Sequence, residues 1–351
     1  MAYTTISKST DYFNTKLYSG SGAIQTVSGV GFEPSWIWTK SRTNAGNHQV
    51  TDQVRGLTKY IRPNAANAED TKTNAITAVN SDGFVLGADS SNDINASGQT
   101  YASWLWRAGT TSGIATNGST NITPSGYSFN QTSGFSAIAY TGTAVDGAYL
   151  PHGLGKAPEL LLLKSKSLAE SWQVYSAPTG NQGRGHLDNG DAFDTSRGEW
   201  YSYTPDSVNM RISNDSHVNS SGATYIAYFF TSIQGYSKIG SYVGNGNADG
   251  AFIYTGFKPA FVMIKYASGG GSGNWTMYDN KRLGYNVSNS YIYANETNAE
   301  SSVSHIIDLV STGFKCRANS SDTNTSGGTM IYMAFAEAPL VGSNNVPANA
   351  R

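Results

Sequence analysis

The run Gly31-Phe32-Glu33-Pro34 leads into Ser35-Trp36-Ile37-Trp38-Thr39-Lys40, and the chain makes the same statement twice more. Lys156-Ala157-Pro158 leads into Glu159-Leu160-Leu161-Leu162-Leu163-Lys164, and Gly256-Phe257-Lys258-Pro259 into Ala260-Phe261-Val262-Met263-Ile264-Lys265. Each time a proline is followed by five mostly apolar residues and then a lysine. Successive side chains of a strand point to opposite faces, so an unbroken apolar run of this length predicts a strand covered on both sides. Proline has a fixed φ and no N–H, which suits the first residue of such a strand. The lysine is read as the strand's exit to solvent.

Two further marks accompany each copy. A Tyr-x-Gly precedes it, at Tyr18 and Gly20, Tyr140 and Gly142, and Tyr242 and Gly244. An Asn-x-Ser-Gly-x-Thr follows it, at 95–100, 219–224 and 324–329, and each time leads into an aromatic-rich run such as Tyr225-Ile226-Ala227-Tyr228-Phe229-Phe230. Three marks in one order, three times, define a repeat. Asn-x-Ser-Gly is turn chemistry, and the run after it predicts a second core strand. The expected organisation is an N-terminal segment 1–16, unit 1 at 17–108, a polar linker 109–133, unit 2 at 134–234, unit 3 at 235–336 and an extended C-terminal arm 337–351. Short strands with polar turns, in units near 100 residues, predict three tandem β-sandwiches in an all-β chain. Short helices are expected at 64–69 and 302–309.

Composition narrows the function. The 351 residues carry a net charge of −1 and 13% charged residues, without the basic balance of a nucleic-acid binder. Aromatic residues make up 12%, which is unlike a disordered chain. A single cysteine, Cys316, excludes an internal disulfide and reads as a buried small hydrophobe. No apolar run approaches a membrane helix, and Met1–Phe13 lacks a signal-peptide core. Synthesis in a cytoplasm without membrane insertion is the expectation.

Catalytic signatures are missing from the sequence. The eight glutamates form no repeated pair with aspartate, as hydrolysis of glycosides would want. The five histidines show no metal-ligand spacing. Asp188-Asn189-Gly190-Asp191 with Asp194 resembles a calcium loop faintly but lacks its closing Glu, and is read as a turn. The run Gly269-Gly270-Gly271-Ser272-Gly273 is read as a flexible loop tip. Asp52 and Arg55 recur as Asp279 and Arg282, but not in unit 2, and are read as a turn-stabilising ion pair. No catalytic residue, metal ligand or cofactor is assigned. Unit 2 carries a private segment, 180–204, with Glu199-Trp200-Tyr201-Ser202-Tyr203. Aromatic rings in loops stack on sugars, so Trp200, Tyr201 and Tyr203 are the candidate ligand-binding residues; alternation into a core or an interface is the competing reading.

The runs GVGFEPSWIWTKSR, NHQVTDQVRG, SDGFVLG and INASGQTYASWLW, and the ending IYMAFAEAPLVGSNNVPANAR, resemble a repeat family of marine bacteriophage genomes. Its members are labelled virion, tail or fibre proteins. The resemblance implies a concanavalin-like jelly-roll sandwich, a location in the virion, and no catalytic residues. It implies a non-enzymatic tail fibre or tail-associated host-recognition module that binds cell-surface glycans. The alternative is a capsid decoration or head-fibre protein without a ligand. Expected partners are other virion proteins, a host glycan and further copies of the chain, trimers being common in phage fibres.

Overall fold

A computed structural model describes residues 3–341, except 197, 284, 285 and 287–289. The protein is mostly β, with several antiparallel sheets and almost no helix. Its single α-helix among the described residues is the four-residue Ser216–Asn219, and no helix is long and apolar enough to cross a membrane.

Each unit builds one main sheet, and the strand order recurs. In unit 1 the strands are β1 (Phe13–Ser19), β2 (Trp36–Ser41), β3 (Gln49–Asp52) and β4 (Thr100–Trp106), arranged β1-β4-β2-β3. Unit 2 contributes β5 (Pro124–Asn130), β6 (Phe135–Thr141), β7 (Leu160–Ser165), β8 (Gln173–Ser176), β9 (Arg184–His186) and β10 (Thr224–Phe230). Their order is β5-β6-β10-β7-β8-β9. Unit 3 has β11 (Ser237–Val243), β12 (Phe257–Ser268), β13 (Thr276–Asp279), β14 (Ile292–Tyr293) and β15 (Thr329–Pro339), in the order β11-β15-β12-β13-β14. In all three, the Pro-x5-Lys strand lies beside the strand that follows Asn-x-Ser-Gly-x-Thr. The registers agree: Trp36 faces Trp106, Leu160 faces Phe230, and Phe261 faces Phe335.

The apolar run has two coverings, as its sequence requires. One face of each β2-type strand turns towards its own unit. Ile37 packs with Val27, Phe84 and Leu86 of a small sheet; Leu161 and Leu163 pack with Leu150, Met210 and Ile212; Val262 and Ile264 pack with Ile253, Leu309 and Phe314. The other face turns to one core shared by all three units. Trp36 and Trp106 meet Phe230 and Phe335 there, with Trp36 4.9 Å from Tyr228 and Trp106 5.5 Å from Phe335 between ring centroids. The units are therefore built round a common centre, which the expectation of tandem sandwiches did not contain.

Polar contacts close this ring at its rim. The Trp172 indole donates to the Arg62 carbonyl at 2.8 Å, and that of Trp275 to the His186 carbonyl at 2.7 Å. The third contact joins His48 Nε2 to the Tyr293 carbonyl at 2.9 Å. Trp38 Nε1 donates to His48 Nδ1, so the neutral ring carries its proton on Nε2 and donates onward. Units 1, 2 and 3 thus bond cyclically, each through the residue four before the end of its β3-type strand.

Several expectations change. The lysines do not exit to solvent: Lys40, Lys164 and Lys265 are wholly buried. Each points to the central side, and its ammonium donates to backbone carbonyls. Lys40 bonds Ser41 and Asn44, Lys164 bonds Ser165 and Leu168, and Lys265 bonds Gly273. The glycine run 269–273 is thus anchored at its end, where the Gly273 N–H also donates to the Gly190 carbonyl of unit 2. β1 begins at Phe13, inside the N-terminal segment 1–16, and β5 lies inside the linker 109–133 and pairs with β6. The stretch 302–309 ends in the strand Ile307–Val310, and 64–69 is irregular. β15 runs on to Pro339, so the arm's first residues are strand; 342–351 lie outside the described residues. Prolines 34 and 158 sit two residues before their strands, whereas Pro259 lies within β12 between two register shifts.

Candidate functional site

The private segment of unit 2 folds over the strand Asn209–Ile212 and leaves an open cavity of about 530 Å³. Asp146, Glu199, Tyr201, Ser202, Asn214 and Asp215 are among its lining residues. Glu199 is held at its floor because its carbonyl accepts the Ser213 N–H at 2.9 Å. Two successive residues, Tyr201 and Ser202, adopt φ of +53° and +48°. Side chains other than glycine, Asn and Asp seldom enter this left-handed region, and such backbone clusters at functional sites.

The three sequence candidates part company. Trp200 is 1% exposed; its indole donates to the Gly183 carbonyl at 3.1 Å and it packs into unit 2's own core against Tyr175. It is a core residue and not a binding platform, because the left-handed turn after it sends consecutive aromatics to opposite sides. Tyr203 is half-buried, edge-on to Tyr149, and its hydroxyl donates to Asp206 at 2.8 Å. Burial, then the Asp206 hydrogen bond, pushes the Tyr203 phenol up to about 12. Tyr201 alone is exposed, at 37%, and lines the cavity. The Arg211 guanidinium lies 3.8 Å from its ring centroid and 5.2 Å from that of Tyr149.

Beside Tyr201 stands a group that the sequence reading missed. Ligand atoms of Glu199, Asp215 and His217 lie within 4.8 Å of one another, and this is the one such group of three found among the described residues. Glu199 Oε1 accepts from Arg184 Nη1 at 2.7 Å, while its buried Oε2 has no partner. Asp215 caps the short helix, accepting from the His217 N–H at 2.8 Å. Hydrogen bonds from His217 hold the Asp215 carboxyl below its ordinary value against the opposing effect of burial. A signal existed in the repeat: counting back from the shared Asn95, Asn219 and Asn324, His217 replaces Asp93 and Asp322, and Asp215 replaces Ser91 and Ser320.

The other sequence motifs are structural. Asp188 Oδ1 accepts the Trp172 N–H, as Asn64 does for His48 and Asn295 for Trp275, so the apparent calcium loop is a rim joint. Asp52–Arg55 and Asp279–Arg282 are fully buried ion pairs of 2.5 and 2.7 Å, as the ion-pair reading expects. Cys316 is buried, and burial raises its thiol to about 11.

One family model matches residues 8–339, spanning all three units as a single piece. The chain belongs to the family described as Domain of unknown function (DUF7483). No curated protein and no solved structure matches it. The extent of the DUF7483 match agrees with the shared core, since no unit has its central face covered without the other two.

Proposed function

We propose that this DUF7483 chain is a non-enzymatic bacteriophage virion protein, a tail fibre or tail-associated module that binds a host-surface glycan in the cavity of unit 2. In this reading each unit is a jelly-roll or concanavalin-like sandwich, and the partners are other virion proteins and further copies of the chain. The observation that carries it is the exposed Tyr201 ring, backed by Arg211, beside an open cavity lined by hydroxyl, amide and carboxylate groups. A ring face offers stacking and the polar rim offers orientation, as small-ligand sites require. The strained backbone at Tyr201 and Ser202 also supports a site kept for use.

The test is titration of the purified chain against a panel of bacterial capsule and envelope polysaccharides. Wild type should bind a member of the panel, and Tyr201→Ala should weaken that binding about tenfold, a loss of about 1.4 kcal/mol. No binding of wild type to any member removes the glycan reading. The burial of Trp200 favours the second reading, a capsid decoration or head-fibre protein without a ligand, because it leaves Tyr201 as the one exposed ring of the three candidates. Gold-labelled antibody on intact particles separates the two, by tail label or label spread over the head.

A further inference from the structure

We propose that Glu199, Asp215 and His217 form a binding site for a divalent transition-metal ion such as Zn²⁺ or Mn²⁺. Three observations carry it. The first is geometric: one ligand atom from each residue lies within 4.8 Å of the others. Two ligands bound to one ion at Zn distances sit about 3.4 Å apart, so closure requires a shift of about an ångström. The second is the Glu199 carboxylate. The residue is 2% exposed, and Oε2 has neither a donor nor access to solvent, although Oε1 is held by Arg184. A buried carboxylate oxygen left unpaired is costly, and a bound cation removes that cost.

The third is the setting of His217. Its Nε2 lies 3.1 Å from Glu170 Oε2, and its Nδ1 faces Asp215 Oδ1 at 2.5 Å. A histidine that gives one ring N–H to a carboxylate has the other nitrogen fixed in place as a ligand, which is the usual outer-shell arrangement of metal-bound histidine. Nδ1 hydrogen-bonds Asp215 in the metal-free chain, so an ion at Nδ1 takes the place of the shared proton, which leaves to water, and Glu170 beside Nε2 is the carboxylate placed to orient the ring. Glu170, Glu199 and Asp215 bring three carboxylates round His217, with Arg184 paired to Glu199, and this gathering of carboxylates favours a cation. The imidazole ligand selects a borderline transition metal over Ca²⁺ or Mg²⁺, which take oxygen. Glu199 and Asp215 both line the cavity, so the ion's remaining positions face solvent. Units 1 and 3 have Asp and Ser in place of His217 and Asp215, and the site belongs to unit 2 alone.

The test uses the full chain, stripped with chelator, titrated calorimetrically with Zn²⁺, Mn²⁺ and Ca²⁺, with bound metal measured by atomic absorption. The expected result is one equivalent of Zn²⁺ or Mn²⁺ per chain, and binding at least tenfold weaker for Ca²⁺. Glu199→Gln and His217→Ala should each weaken Zn²⁺ at least tenfold with an unchanged circular dichroism spectrum. His217 is partly exposed, so its variant keeps the test decisive if the Glu199 variant misfolds. Absence of stoichiometric binding, or equal binding by His217→Ala, overturns the proposal. No sugar enters this experiment, so its failure is separate from failure of the glycan reading.

Discussion

Asp52 performs three tasks at once. Its Oδ1 accepts the Arg55 N–H, its Oδ2 pairs with the Arg55 guanidinium, and Oδ2 also accepts the Tyr228 hydroxyl of unit 2 at 2.6 Å. Asp279 repeats this with Arg282 and accepts the Trp104 indole of unit 1 at 3.0 Å. The turn pair read from the sequence is thus also a bond between units. Ser176 occupies the matching register in unit 2, and the residue matching Tyr228 and Trp104 is Met333, which has no proton to give. Acceptor and donor are missing together, so unit 2 loses the pair without stranding a buried charge. Asp52→Ala leaves the fully buried Arg55 side chain with Glu69, at 3.2 Å, as its remaining carboxylate. It should cost about 3 kcal/mol in urea unfolding, the low end for a broken buried pair. Ser176→Ala should cost well under about 1 kcal/mol, because its hydroxyl has no hydrogen-bond partner. Equal losses in the two variants would contradict this account.

At the scale of the element, the three sequence marks are parts of one joint. The Tyr-x-Gly loop lies against the Asn-x-Ser-Gly turn in every unit. Tyr18 donates to the Ile94 carbonyl, Tyr140 to Val218 and Tyr242 to Thr323. The buried Asn95, Asn219 and Asn324 accept the N–H of Ser21, Thr143 and Asn245 and return bonds to loop carbonyls. Glycine is required on the facing loop, since a Cβ at Gly20, Gly142 or Gly244 would fall on the carbonyl oxygen of Ala96, Ser220 or Thr325. Alanine at any of the three should destabilise by about 1–3 kcal/mol, the cost of overpacking, and lower the thermal midpoint. Unchanged midpoints would sink the joint as explained here. This much was legible in the sequence, because turn residues carry their own conformational signatures. The exposure of Tyr201 was legible from its place as an aromatic in a private loop. Trp200 was misread, because neighbouring aromatics give no sign of which one the turn carries inward. The carboxylate–histidine group was hidden, because 199 meets 215–217 through a loop bond, from the Ser213 N–H to the Glu199 carbonyl, which leaves no mark in the sequence.

At the scale of the whole molecule, the apolar run showed that both faces of β2, β7 and β12 are covered, but periodicity cannot say by what. The shared centre was therefore not visible, and neither were the lysines, since lysine is seldom fully buried and backbone carbonyl partners leave no trace in a sequence. Burial lowers Lys40 and Lys164 to about 8 and Lys265 to about 7, with nearby aspartates opposing. In the unfolded chain these amines stay protonated to about pH 10.4. Between those limits the unfolded state holds more protons, so raising the pH favours the folded state. A shift from 10.5 to about 8 corresponds to about 3 kcal/mol per lysine, fully relieved only above the unfolded value. Above about pH 10 the sign reverses: Tyr140, Tyr228, Tyr236, Tyr242 and Tyr278 are raised by burial, so the unfolded chain loses those protons first. The thermal midpoint should climb from about pH 7.5 to about pH 9.5 and fall beyond about pH 10. Replacing all three lysines by methionine, which keeps the apolar stem and removes the charge, should flatten the climb and leave the fall. A wild-type midpoint that stays level from neutral to moderately alkaline pH would show that the ammonium groups reach water, and that the closed end of the common core is open in solution.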